Sequence, residues 1–452
     1  MIKKSKYILF FMLTILFLST FITTSFASNT STNAVSVGSP SCILMEANSG
    51  KILYEKNANQ VRYPASTTKI MTAILVLENC ELTDVATVSR NAIHSIPPDY
   101  VIANIKEGEE LTVEQLLNVL LIPSANDVAI VLAEHISGSV SKFSDLMNEK
   151  AKEIGCKNTH FVNPNGIHNK NHVSTAYDLA LIGRYAMKNS TFRKIVQKTQ
   201  YTLPATNKYS KADRTFKTTN DLLIKNTSKS KSNYYYPDAT GVKTGYTGEA
   251  GNCLVASAKK DNMEVISVVL GAEFTKEGLS EKFLDTITLL DYAFEHYSIK
   301  TLQEKNTVLQ EVEVASATKE TKNLKVLIKD NIETLVDKDE NMKTLKPEIV
   351  IDKLKAPISI GSKVGTITYT IDGKNYSSDL IAGDTVLPSN TLSLLLRISL
   401  IIVTLYLLFA LLRSKNKPRT RGRTSKNSKS YKHRKSKRSS GKHLYTLINN
   451  FE

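Results

Sequence analysis

The chain has 452 residues, with 59 Lys and Arg against 43 Asp and Glu, for a formal net charge of +16. This length exceeds one ordinary domain and excludes a small disulfide-stapled scaffold. Residues 413–442 carry 14 Lys and Arg and no acid, so the excess charge is a tail property and excludes a basic nucleic-acid-binding face on the body.

Lys3, Lys4 and Lys6 precede an apolar run over residues 7–18, and Ser25 and Ala27 supply small residues for cleavage. Residues 1–27 therefore read as a signal peptide, with an uncleaved anchor as the alternative. Residues 28–33 form a polar leader, and residues 35–53 have strand character broken by a turn at Asn48, Ser49 and Gly50.

Residues 64–78 read as a helix entered at Pro64 and apolar nearly all round, which belongs between packed layers. Further helical zones cover 113–136, broken at Pro123, then 140–154, then 175–189 capped by Thr175 or Ser174. Residues 201–231 are polar and suit hairpins and loops. Three consecutive antiparallel strands follow at 241–245, 252–259 and 264–272, and an amphipathic helix at 279–296 closes the region. Helices flanking an antiparallel sheet make an α+β fold.

After residue 297 the pattern changes to short alternating segments at 308–315, 325–328, 348–351 and 363–371, with a hairpin signal at Asp372 and Gly373. Residues 299–386 read as a separate small β-rich domain. Residues 392–412 are apolar except for Arg397, which lies near one end and can snorkel. At ~1.5 Å per residue this stretch just spans a ~30 Å hydrocarbon core as a transmembrane helix, with a tilted amphipathic anchor as the alternative because residues 398–412 are the only uninterrupted part. The positive-inside rule puts the basic tail, 413–452, in the cytoplasm and the body outside. A basic tail beside such a helix suits anionic lipid headgroups. Without the tail, the three leader lysines and Arg397, 41 basic residues face 42 acidic ones on the exported part, a charge near −1.

Cys42, Cys80, Cys156 and Cys253 show no paired spacing. Free thiols are the expectation, with no metal site and no disulfide framework. His168 and His172 have helical spacing but flank a loop-like Asn169-Lys170-Asn171, so they too predict no metal site.

Three short motifs carry the chemistry. Ser66 and Lys69 share one helix face, so the amine can reach the hydroxyl and act as its base. Burial, and Lys243 as a second cation, would lower the amine's pKa. Ser124 and Asn126 sit in a break between helices and offer a proton relay and an amide able to hold a peptide or the lysine. Lys243, Thr244 and Gly245 lie on a strand. The first two can bind a carboxylate, and the glycine lets substrate approach the backbone. The backbone N–H groups of Ser66 and Tyr246 form a candidate oxyanion hole. Each motif alone has a bland reading, as cap, turn or solvated lysine. Their order, on a helix start, an inter-helix loop and a strand, is more specific than any one match.

These motifs and their flanks resemble the D-alanyl-D-alanine carboxypeptidases, the low-molecular-mass penicillin-binding proteins. The likeness includes residues 64–72 (PASTTKIMT), 123–127 (PSAND), 161–167 (FVNPNGI), 174–181 and 241–256, within a region of about 35–297. The resemblance implies the penicillin-binding transpeptidase and β-lactamase-like fold. It also implies Ser66 as nucleophile, Lys69 as base, Ser124 as relay, and Asn126, Lys243 and Thr244 as substrate-binding groups. It implies removal of the terminal D-alanine from peptidoglycan stem pentapeptides, acylation by β-lactams, a membrane anchor and no cofactor. Some family members have an arginine after the strand that follows the Lys-Thr-Gly motif; residues 273–278 have none, and Lys276 is the substitute expected there, without a bidentate fork. A serine β-lactamase uses the same groups, but Ala125 and the lack of a glutamate-bearing loop between Ser124 and Lys243 disfavour it. A silent wall-bound scaffold is the remaining alternative.

Overall fold

The computed structural model describes residues 35–225, 234–338, 345–371, 373–389 and 391–415. The expected signal peptide and leader, nearly all of the basic tail, and Asp372 lie outside the described residues. Two compact units are present. The larger takes in the chain up to Thr307 with Leu327–Ile351 and Gly365–Leu380; the smaller takes in Val308–Val326, Asp352–Val364 and the chain from Ile381.

The larger unit opens with an antiparallel pair, β1 (Ser41–Glu46) and β2 (Ile52–Lys56). The Glu46 carboxylate accepts the N–H groups of Asn48 and Ser49 at 2.9 and 2.6 Å and so fixes the connecting turn. A 3₁₀ turn, Ala65–Thr68, leads into α1 (Lys69–Asn79). Next come β3 (Val85–Thr87), α2 (Arg90–His94) and β4 (Glu110–Thr112), all unread in the sequence. Three-residue strands are too short to display alternation.

α3 (Val113–Leu121) begins with a capping box between Thr112 and Gln115, and α4 (Asn126–Ser137) follows the break at Pro123. α5 (Val140–Ile154) matches its expected span. The helix expected over 175–189 is α6 (Ala176–Ala186), which ends three residues early, and α7 (Ser190–Val196), unread in the sequence, follows it. Asn189 divides them, because its side chain caps the N–H groups of Thr191 and Phe192 and starts a new helix.

A hairpin, β5 (Gln200–Leu203) with β6 (Arg214–Lys217), precedes three long strands, β7 (Ala239–Thr247), β8 (Gly251–Lys260) and β9 (Met263–Ala272), and then α8 (Glu281–His296). The central sheet runs β2-β1-β9-β8-β7 with every pairing antiparallel. Side chains alternate across it. Ile43 and Met45 of β1 face the cluster formed with α1, α3, α4 and α6, while Cys42 and Leu44 face Leu289, Leu290, Ala293 and Phe294 of α8. Both faces are covered, so all six residues of β1 are buried. The four cysteines are free, Cys42 and Cys253 being buried.

The remaining strands are β10 (Tyr297–Gln303), β11 (Val308–Glu313), β12 (Asn323–Ile328), β13 (Ile332–Asp337), β14 (Glu348–Ile351), β15 (Lys363–Ile371) and β16 (Lys374–Ala382). β10 pairs with β13, and the others form a sheet in the order β11-β12-β16-β15-β14. The last described helix is α9 (Thr391–Lys415); its Leu395–Arg413 stretch of 19 residues is long and apolar enough to cross a membrane.

Candidate active site

Ser66 stands on the 3₁₀ turn rather than in the α-helix expected there. Ala65 adopts a left-handed φ of +48°, and both Thr67 N and Thr67 Oγ1 donate to the Pro64 carbonyl, at 3.2 and 2.6 Å. These bonds tighten the turn and leave Ser66 facing an open cleft. Lys69 begins α1 and is fully buried. Its Nζ lies 2.9 Å from Ser66 Oγ, 2.8 Å from Asn126 Oδ1 and 2.7 Å from the Asn165 carbonyl.

Ser124 lies in the α3–α4 break with φ +73° and lines the same cleft. Asn126 begins α4; its backbone N and its Nδ2 both donate to the Val101 carbonyl at 2.9 Å. Asp127 accepts the Ala103 N–H with both oxygens, at 3.0 and 2.9 Å. Together these bonds hold Asp99, Tyr100 and Val101 along one wall of the cleft.

The opposite wall is β7, the edge strand of the sheet. Thr244 Oγ1 and Thr219 Oγ1 share a hydrogen bond of 2.5 Å, and Tyr246 is exposed. A Cβ on Gly245 would lie 3.0 Å from Ser66 N and 3.1 Å from the Pro64 carbonyl oxygen. The glycine therefore lets the nucleophile turn press against the strand; protein fills the space that the sequence reading left for substrate. The cleft holds about 370 Å³.

Three amines interact from the back of this site to its mouth. Burial, then repulsion from Lys243, holds Lys69 well below the ordinary lysine range, with Asp127 opposing. Burial, then repulsion from Lys282, brings Lys243 down to about 7. Lys243 is itself buried, its Nζ donating to the Thr244 carbonyl at 3.0 Å. These effects disfavour the charged form of the Lys69 amine beside the Ser66 hydroxyl.

The family model for D-alanyl-D-alanine carboxypeptidase matches residues 28–274, and that for the C-terminal domain of penicillin-binding protein 5 matches residues 297–387. The chain belongs to the D-alanyl-D-alanine carboxypeptidase family. It is thus a serine-type hydrolase of the penicillin-binding proteins. The D-alanyl-D-alanine carboxypeptidase DacF of Bacillus subtilis is 36% identical over 349 residues, covering 76% of this chain and 84% of the relative. Penicillin-binding protein 5 of Haemophilus influenzae superposes with a TM-score of 0.57 at 29% identity, covering 78% of this chain and 98% of that one. A peptidoglycan synthesis regulatory factor of Streptococcus pneumoniae gives 0.65 at 26% identity, covering 78% and 100%.

The fold of this carboxypeptidase brings the expected site residues together. Ser66, Ser124, Asn126, Thr244, Gly245 and Tyr246 line the cleft, and Lys69 and Lys243 are buried among them. One expectation is corrected. Lys276 is exposed in a turn, whereas Lys282 on the first turn of α8 reaches the cleft and donates to Asn252 Oδ1 at 3.0 Å. Lys282 lies beyond the turn at 273–278, and no local motif marks the first turn of a helix as part of a site on β7.

Asn165 was unread because it contributes only a backbone carbonyl. The segment carrying it is pinned by His172, whose Nδ1 accepts from Val162 N at 3.0 Å and whose Nε2–H donates to Thr68 Oγ1 at 2.8 Å. That ring is a structural post of the carboxypeptidase, with both nitrogens already bonded.

Proposed function

We propose that this carboxypeptidase removes the terminal D-alanine from peptidoglycan stem pentapeptides through an acyl-enzyme on Ser66. The supporting observation is the triple contact of the Lys69 amine. Carbonyl oxygens only accept, so Asn126 and Asn165 each take one hydrogen of the amine, and its third position points at Ser66 Oγ, to which Nζ donates at 2.9 Å. In the neutral form that burial favours, this third position is a lone pair aimed at the Ser66 hydroxyl.

Lys69 removes the Ser66 proton as Oγ bonds to the penultimate D-alanine carbonyl carbon. The developing oxyanion is held by the N–H groups of Ser66 and Tyr246. The C–N bond breaks as the proton held by Lys69 passes through Ser124 to the leaving amine, which leaves Lys69 neutral and Ser124 a hydroxyl again. Lys69 then takes a proton from water as that water attacks the ester carbonyl, and returns it to Ser66 Oγ as the C–O bond to the enzyme breaks. Lys243, Thr244 and Lys282 hold the terminal carboxylate at the Gly245 end of the cleft. A β-lactam acylates the same oxygen.

The enzyme is held at the cell membrane by Leu395–Arg413, with the catalytic part outside and the basic tail inside. At ~1.5 Å per residue its 19 residues approach the ~30 Å hydrocarbon core, and its Leu, Ile and Phe side chains are exposed. The test is fluorescent penicillin labelling of the full chain in detergent. Wild type labels and Ser66→Ala does not; label retained by Ser66→Ala refutes the assignment.

A further inference from the structure

Cys80 closes α1 as its C-cap residue, Asp84 follows in the next loop, and His135 lies in the last turn of α4. Their thiol sulfur, carboxylate oxygen and imidazole nitrogen lie within 4.8 Å of one another. We propose that Cys80, Asp84 and His135 form a zinc site that clamps the far ends of α1 and α4.

The donor set selects the ion. Thiolate, imidazole and carboxylate together suit zinc, whereas magnesium and calcium take oxygen ligands. Bonds of ~2.0–2.3 Å in a tetrahedral site put ligand atoms roughly 3.5 Å apart. The observed spacing closes to this by rotation of Asp84 and His135, which are exposed. Asp84 Oδ2 accepts the Glu81 N–H at 2.9 Å, which orients the carboxylate and leaves Oδ1 for a metal. Among the described residues, neither the Cys80 thiol nor the His135 ring has a hydrogen-bond partner.

The surroundings favour a cation. Two helices end here, and each C-terminus carries partial negative charge. Binding converts the Cys80 thiol to a thiolate ligand and releases its proton to solvent; water fills the fourth position. α1 begins at Lys69 and α4 at Asn126, the two residues joined by the 2.8 Å bond in the cleft. Zinc would therefore fix the opposite ends of the two helices that position the base. His135 is remote from Cys80 in sequence, so no spacing motif marks the site.

The test uses the full chain in detergent, stripped with a chelator and titrated with Co²⁺ and then Zn²⁺. One equivalent of Co²⁺ binds with a sulfur-to-cobalt charge-transfer band, and Zn²⁺ displaces it. Cys80→Ser abolishes the band, and His135→Gln weakens zinc binding at least about tenfold. Metal-free unfolding midpoints show that both variants fold. In the wild type, zinc also slows alkylation of Cys80 but not of Cys156, a readout independent of any substitution. Sub-stoichiometric uptake, affinity unchanged in either variant, or Cys80 alkylation unaffected by zinc overturns the proposal.

Discussion

Lys69 Nζ donates to the Asn165 carbonyl at 2.7 Å, although 96 residues separate the two in sequence. With Asn126 Oδ1 at 2.8 Å, this bond fixes two of the amine's positions and points the third at Ser66 Oγ, 2.9 Å away. The orientation of the Asn126 amide is fixed by its own Nδ2, which donates to Val101 at 2.9 Å; a flipped amide would set oxygen against oxygen there.

Asn126→Asp tests this arrangement. A carboxylate at that position favours the ammonium form and raises the Lys69 pKa. The acid limb of penicillin acylation then moves to higher pH, and the rate at pH 7 falls at least about tenfold while recovering as pH rises. Stopped-flow acylation across pH checks this. A uniform loss at every pH would mean that the substitution disturbs geometry instead.

The alkaline side belongs to Lys243, lowered to about 7 by burial and by Lys282. The proposed role of Lys243 in holding an anionic substrate terminus needs this charge, which is lost as pH rises through that value. For a peptide ending in a free carboxylate, kcat/KM falls above pH ~7, because this ratio reports free-enzyme pKa values. The amidated peptide shows no such limb. Lys282→Gln removes the repulsion, so the limb shifts to higher pH. The lost charge-assisted bond, at ~1.5–3 kcal/mol, lowers the plateau roughly ten- to a hundredfold. A limb unmoved by Lys282→Gln would separate the two lysines.

Side chains carried by short local motifs were legible in the sequence: Ser66 and Lys69 three residues apart at a helix entry, Ser124 in a helix break, and Lys243 on a strand. The sheet and main helices were equally legible, because β8 and β9 are nearly continuous apolar runs buried on both faces and α5 keeps a helical period. What stayed hidden acts through backbone or through distance. Asn165 contributes a carbonyl, Lys282 arrives from the next helix, and Gly245 accommodates protein rather than substrate. β10 escaped because its burial follows no two-residue alternation.

Gly166 separates steric from conformational requirements. A Cβ there would lie 1.9 Å from the Ala65 carbonyl oxygen, and its φ is +81°. Gly166→Ala must displace the nucleophile turn, with a cost above ~2 kcal/mol in urea unfolding and loss of penicillin labelling. Gly138 has a similar φ of +75° but nothing within 4 Å of its added Cβ. Gly138→Ala therefore costs only the conformational part, about 1 kcal/mol, and labels normally. Equal costs would remove the steric argument.

His172 makes the stability of this site depend on acid. Burial first, then the charges of His160, His168 and Lys69, holds its pKa down to about 3. Protonation would place a hydrogen on Nδ1 against the Val162 N–H that it now accepts. In the unfolded chain the imidazole titrates near ~6.5, so between there and about 3 the unfolded state binds the extra proton. The stability from this group is complete above the unfolded value and is lost as pH falls through the window, at roughly 1.4 kcal/mol per pH unit. His172→Gln keeps a side-chain acceptor and donor without a titrating ring. It lowers the urea midpoint at neutral pH, because its shape fits the post less well, yet flattens the decline toward acid. The carboxylates contribute the same slope to both proteins, so the difference between the two pH curves isolates the imidazole. Parallel curves would assign the acid sensitivity to other groups and leave His172 a post without a switch.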